Sequence, residues 1–509
     1  MMSQSQSMAI LPPDGHHATQ VTHQRMTAAP LYDKGMHQPG AEIQAVRGTK
    51  RLPAQPDFTL STSSFSHSDQ ATESLYFSKS GGSSPQHVPR AATQRRLPGG
   101  AMRMKTWMPV SLLLLNAPLA LAEPLKAKPT DKTVWIAIGT DAITPMQETF
   151  AAEGWNVPTA LKQQKHAGVF QLKESQLSRL ALMMHEKFDR CAGFITYETQ
   201  EEALASLAPV APNAAQKAVS YTLTNAATVN TLVGELSAAN IRTTIADLSA
   251  FPTRSQSSQG GVDAAAMLLA KWQGYVTGAG RTDVTVAYYP HTGWRQPSVI
   301  LTIPGTDLSG EVVVVGGHLD SISSTSAAPG ADDDASGIAT FTEVIRAAMA
   351  RNYRPQRTVK FMAYAAEETG LRGSREIALS HKNNNINVVG VMQLDMTNYK
   401  HPNATSDVGI VTDNTNATQN QFIRDLITTY VGVPFTNTTC GYGCSDHASW
   451  HSQGYAASIP FEGTVVQKNP NIHTPRDTLA NSDSSAAHAL KFSKIAAAYV
   501  AELAKGTAQ

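Results

Sequence analysis

The chain has 509 residues, of which 41% are hydrophobic and 16% are charged, and its formal net charge is +1. This composition is typical of a globular protein with room for about three domains. A net charge so close to zero provides no field for attracting a nucleic acid or an anionic membrane, and so argues against a polyanionic partner.

Residues 1–101 are rich in Ser, Gln, His, Pro and Gly and show no sustained apolar period. Such a stretch cannot bury enough surface to offset the entropy of ordering it, so we predict a disordered extension. Residues 102–122 have the layout of a secretory signal peptide, with an apolar core too short to span a bilayer comfortably. Arg103 and Lys105 form its positive start, and residues 107–115 form its apolar core. Residues 120–122 are the A-x-A cleavage motif.

The position of this signal is unusual, because signal peptides begin at the N-terminus. The simplest interpretation is that translation begins at Met102 or Met104 and that residues 1–101 are not translated. The alternative is a signal anchor preceded by a disordered cytoplasmic tail. We expect a secreted protein, extracellular or periplasmic in transit, without stable membrane association after cleavage.

Residues 123–214 alternate strand-like and helical patterns, which predict a small α+β unit. The predicted strand, helix and strand are 134–139, 175–188 and 191–199. The unit ends in an Ala/Pro-rich run at 205–216, which is typical of an exposed linker and cleavage region. We therefore predict a propeptide; the alternative is an ordinary N-terminal domain that stays attached.

From residue 215 to 509, near-continuous apolar strands alternate with helices. Predicted strands are 298–305, 311–320, 358–368, 387–399 and 407–413, and predicted helices include 228–238, 262–275, 336–350, 420–431 and 488–504. Strands that are apolar on both faces require a sheet covered on both sides. The pattern predicts a three-layer α/β/α domain with a mostly parallel central sheet.

Acidic and imidazole side chains lie at the carboxyl ends of three of these strand segments. His318 and Asp320 follow the apolar part 311–315 of one segment, Glu367 and Glu368 follow 358–364 of the next, and Asp395 follows 388–394 of a third. In open α/β sheets, ligands bind beyond the carboxyl ends of the strands. We expect these groups to meet at one rim of the sheet.

Two runs of adjacent carboxylates point to a cation at this rim. The three aspartates at 332–334 repel one another unless a cation compensates, although Asp332 or Asp334 alone is equally well explained as a helix N-cap. The pair Glu367 and Glu368 is costly to bury unless one binds metal and the other handles protons.

The chain has three cysteines, Cys191, Cys440 and Cys444. The C-x-x-x-C pair is compatible with a disulfide, a metal pair or coincidence; the export signal favours a disulfide, because oxidising compartments permit it. Cys191 is left over and lies in the predicted propeptide.

Six segments closely resemble, in order, the secreted bacterial leucyl aminopeptidases with two co-catalytic zincs, which are related to glutamate carboxypeptidase and glutaminyl cyclase. They are GGHLDS, APGADDDASGIA, FMAYAAEETGLRGS, QLDMTNYK, TCGYGCSDHASWH and IHTPRDTLANSD. The similarity is strong over 290–505 and looser over 215–290. The arrangement of signal peptide and propeptide also matches that family's precursors.

The resemblance implies a role for each site residue. The ligands of two Zn²⁺ per subunit would be His318, Asp333, Glu368, Asp395 and His473, with Asp333 bridging both ions. Glu367 would be the general base and acid, and Asp320 would orient His318. The pocket for the first side chain would include Met396, Tyr442 and Ile472, beside a Cys440–Cys444 disulfide.

The implied activity is hydrolysis of an N-terminal leucine or other bulky apolar residue from peptides with a free N-terminus, by a monomeric enzyme. Two imidazoles among the ligands favour zinc over magnesium. Two alternatives remain: a single-zinc glutaminyl cyclase or other amidohydrolase, and a metal-free binding module on the same fold. The intact ligand set favours hydrolysis by two metals.

One further pattern imitates a metal site. His447 and His451 have the i, i+4 spacing of a helical zinc pair, but the intervening Ala-Ser-Trp lacks the glutamate of an H-E-x-x-H protease. We instead predict that Ser445 or Asp446 caps a helix here.

Overall fold

The computed structural model describes residues 131–211, 213 and 219–509. The predicted extension at 1–101 and signal peptide at 102–122 lie outside these residues, as does part of the predicted linker. Among the helices of the described ranges, none combines the length and apolar character needed to cross a membrane.

Residues 131–211 form the N-terminal unit, a four-stranded antiparallel sheet with helices on both faces. Its strands are β1 (Thr133–Gly139), β2 (Ala160–Gln163), β3 (Ala167–Lys173) and β4 (Phe194–Tyr197), and its helices are α1 (Ile143–Ala152), α2 (Leu177–Phe188) and α3 (Gln200–Ala205). The strand order is β2-β3-β1-β4. Alternate residues of β1 explain the packing, since Val134 and Ile136 join α1 and α2 while Trp135 and Ala137 face the α3 side. The unit has the predicted α+β character.

The predicted strand at 191–199 is wrong at its start. Strand β4 begins only at Phe194, because Ala192 and Gly193 have φ values of 38° and 78°. These values lie outside the extended region, so the chain turns here and Cys191 lies in a loop.

Residues 219–509 form the C-terminal domain. Its helices are α4 (Ala226–Glu235), α5 (Ala238–Ser249), α6 (Gln259–Gly278), α7 (Ala335–Ala350), α8 (Arg372–Asn383), α9 (Ala417–Leu426), α10 (His447–Ser452) and α11 (Ala487–Ala504). Its strands are β5 (Thr285–Tyr289), β6 (Ser298–Ile303), β7 (Leu308–His318), β8 (Arg357–Tyr364), β9 (Asn387–Gln393), β10 (Val408–Val411), β11 (Phe435–Thr438), β12 (Ala457–Ser458) and β13 (Pro460–Phe461).

The central sheet has the order β12-β9-β7-β8-β6-β5. The pairings from β12 to β8 are parallel, and those of β6 with β8 and β5 are antiparallel. Strand β7 shows why both faces are covered: Val313 and Val315 pack in the cluster that includes α7 and α11, whereas Val312 and Val314 pack against α8 and α10. The predicted three-layer α/β/α fold with a mostly parallel sheet is confirmed.

Strand β10 is present where the sequence predicts a strand, but it does not join the central sheet. It pairs with β11 and β13 in a separate three-stranded sheet, of order β11-β10-β13. A short apolar run predicts a strand without specifying its partner, because pairing depends on contacts distant in sequence.

Replacing Phe341 by alanine tests the packing between α7 and the sheet. Its ring is fully buried, with its centroid 5.9 Å from that of Trp272 and 6.2 Å from that of Phe361. We expect the free energy of unfolding to fall by about 3–5 kcal/mol, because the deletion leaves a cavity in a close-packed core. Denaturant titration measures this loss.

Val466→Ala is the control, since Val466 is 92% exposed and its truncation should change stability by no more than about 0.5 kcal/mol. A similarly small loss for Phe341→Ala would contradict the placement of that ring in the core.

Candidate metal centre

The ends of three neighbouring parallel strands deliver the predicted side chains to one rim. Strand β7 ends at His318, β8 ends at Tyr364 just before Glu367 and Glu368, and β9 ends at Gln393 just before Asp395. The structure therefore brings these groups together, as the carboxyl ends of parallel strands require.

The carboxylate of Asp333 lies between two imidazoles. Its Oδ1 is 2.9 Å from His318 Nε2, and its Oδ2 is 3.1 Å from His473 Nε2. Asp395 Oδ1 lies 3.7 Å from the same His318 nitrogen, and Glu368 Oε2 lies 2.9 Å from the His473 nitrogen. The centre thus has a His318 half and a His473 half that share Asp333. None of these five residues is more than 3% exposed.

Several polar atoms of this centre are buried without a hydrogen bond. Both carboxylate oxygens of Glu367 and of Glu368, both ring nitrogens of His473 and Oδ1 of Asp395 have no hydrogen-bond partner among the described residues. His473 and Glu368 approach closely, but without the alignment of a hydrogen bond. Buried polar atoms are costly when unsatisfied. Imidazole nitrogen and carboxylate oxygen are zinc donors, so the residues present fit a zinc site.

The two outer aspartates of the run 332–334 are already hydrogen-bonded. Asp334 is the N-cap of α7, and its Oδ1 accepts a 2.8 Å hydrogen bond from the Gly337 backbone N–H. Asp332 Oδ1 accepts one of 3.0 Å from the Asn398 backbone N–H. The N-cap alternative holds for Asp334, and Asp333 is the member of the run that lies between the imidazoles.

Asp320 connects the ends of β7 and β8. Its Oδ1 lies 3.5 Å from His318 Nδ1, and its carbonyl oxygen is 3.1 Å from the same nitrogen. Its two carboxylate oxygens accept hydrogen bonds of 3.0 and 3.2 Å from the backbone N–H groups of Glu367 and Glu368. Asp320 therefore fixes the imidazole and both glutamates relative to one another, as partners of metal ligands usually do.

The electrostatics of the centre are those of crowded buried acids. Burial raises the pKa of Glu367 well above its ordinary value; the nearby His318 lowers it and Glu368 raises it further. Burial also raises the pKa of Glu368, to about 7, although His473 opposes the shift. A bound cation would favour the ionised form of both carboxyl groups, since an opposite charge stabilises a carboxylate.

The residues predicted to line an apolar pocket lie close to the predicted metal ligands. Met396 and Ile472, each next to a ligand in sequence, are buried in one apolar cluster with Val411, Ile459 and Phe461. The sulfur atoms of Cys440 and Cys444 are joined, at 2.04 Å. Between them Tyr442 contacts the N-terminal unit, since the Arg190 guanidinium lies 5.1 Å from its ring centroid.

The predicted capping of α10 is wrong. Asp446 occupies the N-cap position, but its side chain makes no capping hydrogen bond. Its Oδ2 instead accepts a 3.0 Å hydrogen bond from Gln393 Nε2, and the Ser445 hydroxyl donates to Asp395 Oδ2 at 2.5 Å. Both side chains are drawn to groups at the end of β9. Neither His447 nor His451 belongs to a candidate metal group in the described ranges.

Sequence reasoning missed three residues of this centre. Ser445 positions Asp395, and Asp477 accepts hydrogen bonds of 2.9 and 3.1 Å from the backbone N–H groups of Asp332 and Asp333. Asp477 lies in the segment IHTPRDT, and the resemblance of that segment to the aminopeptidase family was the sequence signal that could have indicated it. The third is Cys191, whose Sγ lies 3.7 Å from Asp333 Oδ2.

Buried imidazoles and carboxylates gathered at the strand ends of an α/β/α domain fit the class of zinc-dependent hydrolases. Residues 298–499 match peptidase family M28. Leucine aminopeptidase 1 of Arthroderma gypseum is 37% identical over 307 residues, which cover 57% of this chain and 81% of that protein. Leucine aminopeptidase 1 of Emericella nidulans is 37% identical over 292 residues, covering 54% and 73% respectively. The chain belongs to peptidase family M28, and it is an aminopeptidase.

Solved structures extend the similarity beyond the C-terminal domain. The Legionella pneumophila LapA aminopeptidase has 28% sequence identity and a TM-score of 0.64, and the match covers 74% of this chain and 99% of that one. LapB from the same organism gives the same identity and TM-score, with 74% and 100% covered. Because residues 219–509 make up less than two thirds of the chain, matches that cover 74% of it extend beyond the C-terminal domain.

Proposed function

We propose that this aminopeptidase is a secreted enzyme of the bacterial type that uses two zinc ions to remove leucine, or another bulky apolar residue, from the N-terminus of peptides. The observation that carries the proposal is the Asp333 carboxylate shared between His318 and His473. One carboxylate with an imidazole at each oxygen is suited to bridging two cations. Asp395 would complete the His318 half and Glu368 the His473 half.

Zinc bound at this centre would polarise the scissile carbonyl and lower the pKa of water towards about 7, so that a nucleophile is available at neutral pH. The chain's own part in the reaction is proton transfer and positioning. Glu367 is the group suited to the transfer, because both its carboxylate oxygens are buried and free of hydrogen bonds within the described chain. It would take the proton of the attacking water and return it to the leaving amine.

Two features support selection of an apolar N-terminal residue. The cluster around Met396 and Ile472 offers an apolar surface immediately beside Asp395 and His473, where the first side chain of a substrate would lie. The acidic groups of the centre favour a positively charged free α-amine over a blocked one. Tyr442, in the disulfide loop, would border this pocket.

The organisation of the precursor is also a proposal. Residues 1–101 would not be translated, 102–122 would be a cleaved signal peptide, 123–214 a propeptide and 215–509 the mature enzyme, acting as a monomer outside the cell. The disulfide supports an oxidising compartment. The matches to the two Legionella enzymes cover 74% of the chain, whereas those to the two fungal enzymes cover 57% and 54%. The longer match supports an aminopeptidase of the bacterial type.

Hydrolysis of leucine-p-nitroanilide by the 123–509 protein after limited proteolysis tests this function. We expect turnover of the free-amine substrate, no turnover of its N-acetyl derivative, and loss of activity with a chelator that added zinc reverses. The acetylated substrate is the matched control, because it differs only in the α-amine. Equal turnover of both compounds would overturn the aminopeptidase function, and cyclisation of an N-terminal glutamine without hydrolysis would indicate a glutaminyl cyclase.

A further inference from the structure

The N-terminal unit is anchored beside the metal centre. The Thr196 backbone N–H donates to the Gly370 carbonyl at 3.0 Å, and its hydroxyl donates to the Thr369 carbonyl at 2.9 Å. These residues directly follow the ligand Glu368. Close by, the buried Arg372 guanidinium pairs with Glu174 at 2.6 Å. The unit is therefore fixed to the loop that carries the paired glutamates.

A second set of contacts holds the loop 189–193, between α2 and β4. Lys468, five residues before the ligand His473, pairs with Asp189 at 2.5 Å. The His185 ring, at the end of α2, lies edge-on to the His473 ring with centroids 4.7 Å apart. Positive φ values at Asp189, Ala192 and Gly193 turn the chain tightly. The loop is thus held with its middle residue, Cys191, over the centre.

The Cys191 thiol lies among the metal donors. Its Sγ is 3.7 Å from Asp333 Oδ2, and Cys191, Asp333 and His473 each present a donor atom within 4.8 Å of the others. The residue is only 7% exposed. An independent observation points to a ligand here, because the His473 ring nitrogens are buried and have no hydrogen-bond partner in the described chain.

Cys191 also lies in the region proposed for the substrate. It belongs to the same buried cluster as Met396 and Ile472, which is where we place the first side chain of the substrate. If the first side chain of a substrate lies there, it would compete with Cys191 for the same space. Cys191 of the N-terminal unit thus lies both in this cluster and beside the His473 half of the centre.

We propose that, in the precursor, the Cys191 thiolate is a ligand of the zinc ion held by His473 and Asp333, and keeps the enzyme latent. Thiolate is a preferred zinc ligand. When the Zn–S bond forms, the thiol proton passes to solvent; when the N-terminal unit is removed after cleavage, water replaces the sulfur without any change of oxidation state. The inference rests on the proposed function in that it requires zinc at this centre.

Cobalt substitution of the 123–509 precursor tests this ligand without relying on activity. A thiolate bound to Co²⁺ gives an intense near-ultraviolet charge-transfer band. Because Cys440 and Cys444 are joined, Cys191 is the one thiol of the chain, and the band can be assigned to it. We expect the band in the precursor and its loss in the trimmed enzyme.

Cys191→Ser and Cys191→Val distinguish a metal ligand from a side chain that only fills space. Valine keeps an apolar side chain in the pocket but cannot bind the metal, so we expect both variants to lose the band. We also expect the metal affinity, measured by competition with a chelator, to fall about 10-fold or more, since loss of even an outer partner of a metal ligand typically has an effect of that size. The Asp425→Asn precursor, altered at an exposed side chain on α9, should keep both properties.

The outcomes distinguish the two proposals. A precursor that binds cobalt but shows no charge-transfer band overturns the ligand role of Cys191, while activity of the trimmed enzyme would leave the proposed function intact. A band that persists in Cys191→Val also overturns it. Failure of both precursor and trimmed enzyme to bind cobalt or zinc overturns the zinc enzyme and the latency proposal together.

Discussion

Replacing Glu367 by glutamine is expected to lower kcat by about 10²–10⁴-fold, the contribution typical of a positioned general acid–base group. Glutamine keeps the size of the side chain and cannot accept a proton at neutral pH. Glu367 is fully buried, and its backbone N–H is fixed 3.0 Å from Asp320 Oδ1, so the substitution should not move the loop. Steady-state kinetics of the trimmed enzyme on leucine-p-nitroanilide measure the loss.

The zinc content identifies the cause of this loss. In our assignment Glu367 is not a ligand, so Glu367→Gln should retain as much zinc as the unaltered enzyme and a similar KM. Asp425→Asn makes the same carboxylate-to-amide change at an exposed position and should alter neither quantity. If Glu367→Gln loses zinc along with activity, its role is that of a ligand and the proton-transfer assignment is wrong.

Asp333→Asn is expected to have the second large effect, by weakening both halves of the centre at once. Each carboxylate oxygen of Asp333 faces a different imidazole, at 2.9 Å for His318 and 3.1 Å for His473. An amide presents one oxygen, carries no charge and turns an NH₂ group towards the other half. We expect zinc affinity to fall by more than about 100-fold, beyond the 10–100-fold typical of losing an outer partner. Metal analysis after dialysis against a graded zinc buffer measures the change.

The comparison with Asp395→Asn sharpens this prediction. Asp395 lies in the His318 half, so its replacement should weaken one metal position and spare the other. Asp333→Asn should weaken both positions together. If both variants lose one ion and keep the other to the same extent, Asp333 does not bridge. Thermal unfolding of both variants controls for damage to the fold.

The grouping of acidic and imidazole side chains at the strand ends was predictable from the sequence, because β7, β8 and β9 are buried on both faces and are therefore nearly continuously apolar. Once they are placed side by side in a parallel sheet, His318, the paired glutamates and Asp395 must lie at one edge. His473 had no such local signal. It reaches the centre from a loop with φ of 54°, and only the family resemblance indicated it.

Contacts between distant parts of the chain account for what could not be predicted. Cys191 and Asp333 are 142 residues apart, and nothing near Cys191 in sequence distinguishes a loop that enters the centre from the end of a strand. Asp446 shows the opposite case: its position next to a helix predicts a cap, but Gln393 from β9 competes successfully for its carboxylate. The strands that pair with β10 could not be predicted for the same reason, because their pairing is set by the rest of the fold.

Zinc titration of the metal-free, trimmed enzyme tests the central claim most directly, with bound metal and leucine-p-nitroanilide hydrolysis followed on the same samples. A centre in which Asp333 is shared by two halves predicts binding that saturates at two ions per chain, with full activity reached only when the second is bound. Saturation at one ion per chain, with full activity at that point, would contradict the shared carboxylate and the two-zinc assignment built on it.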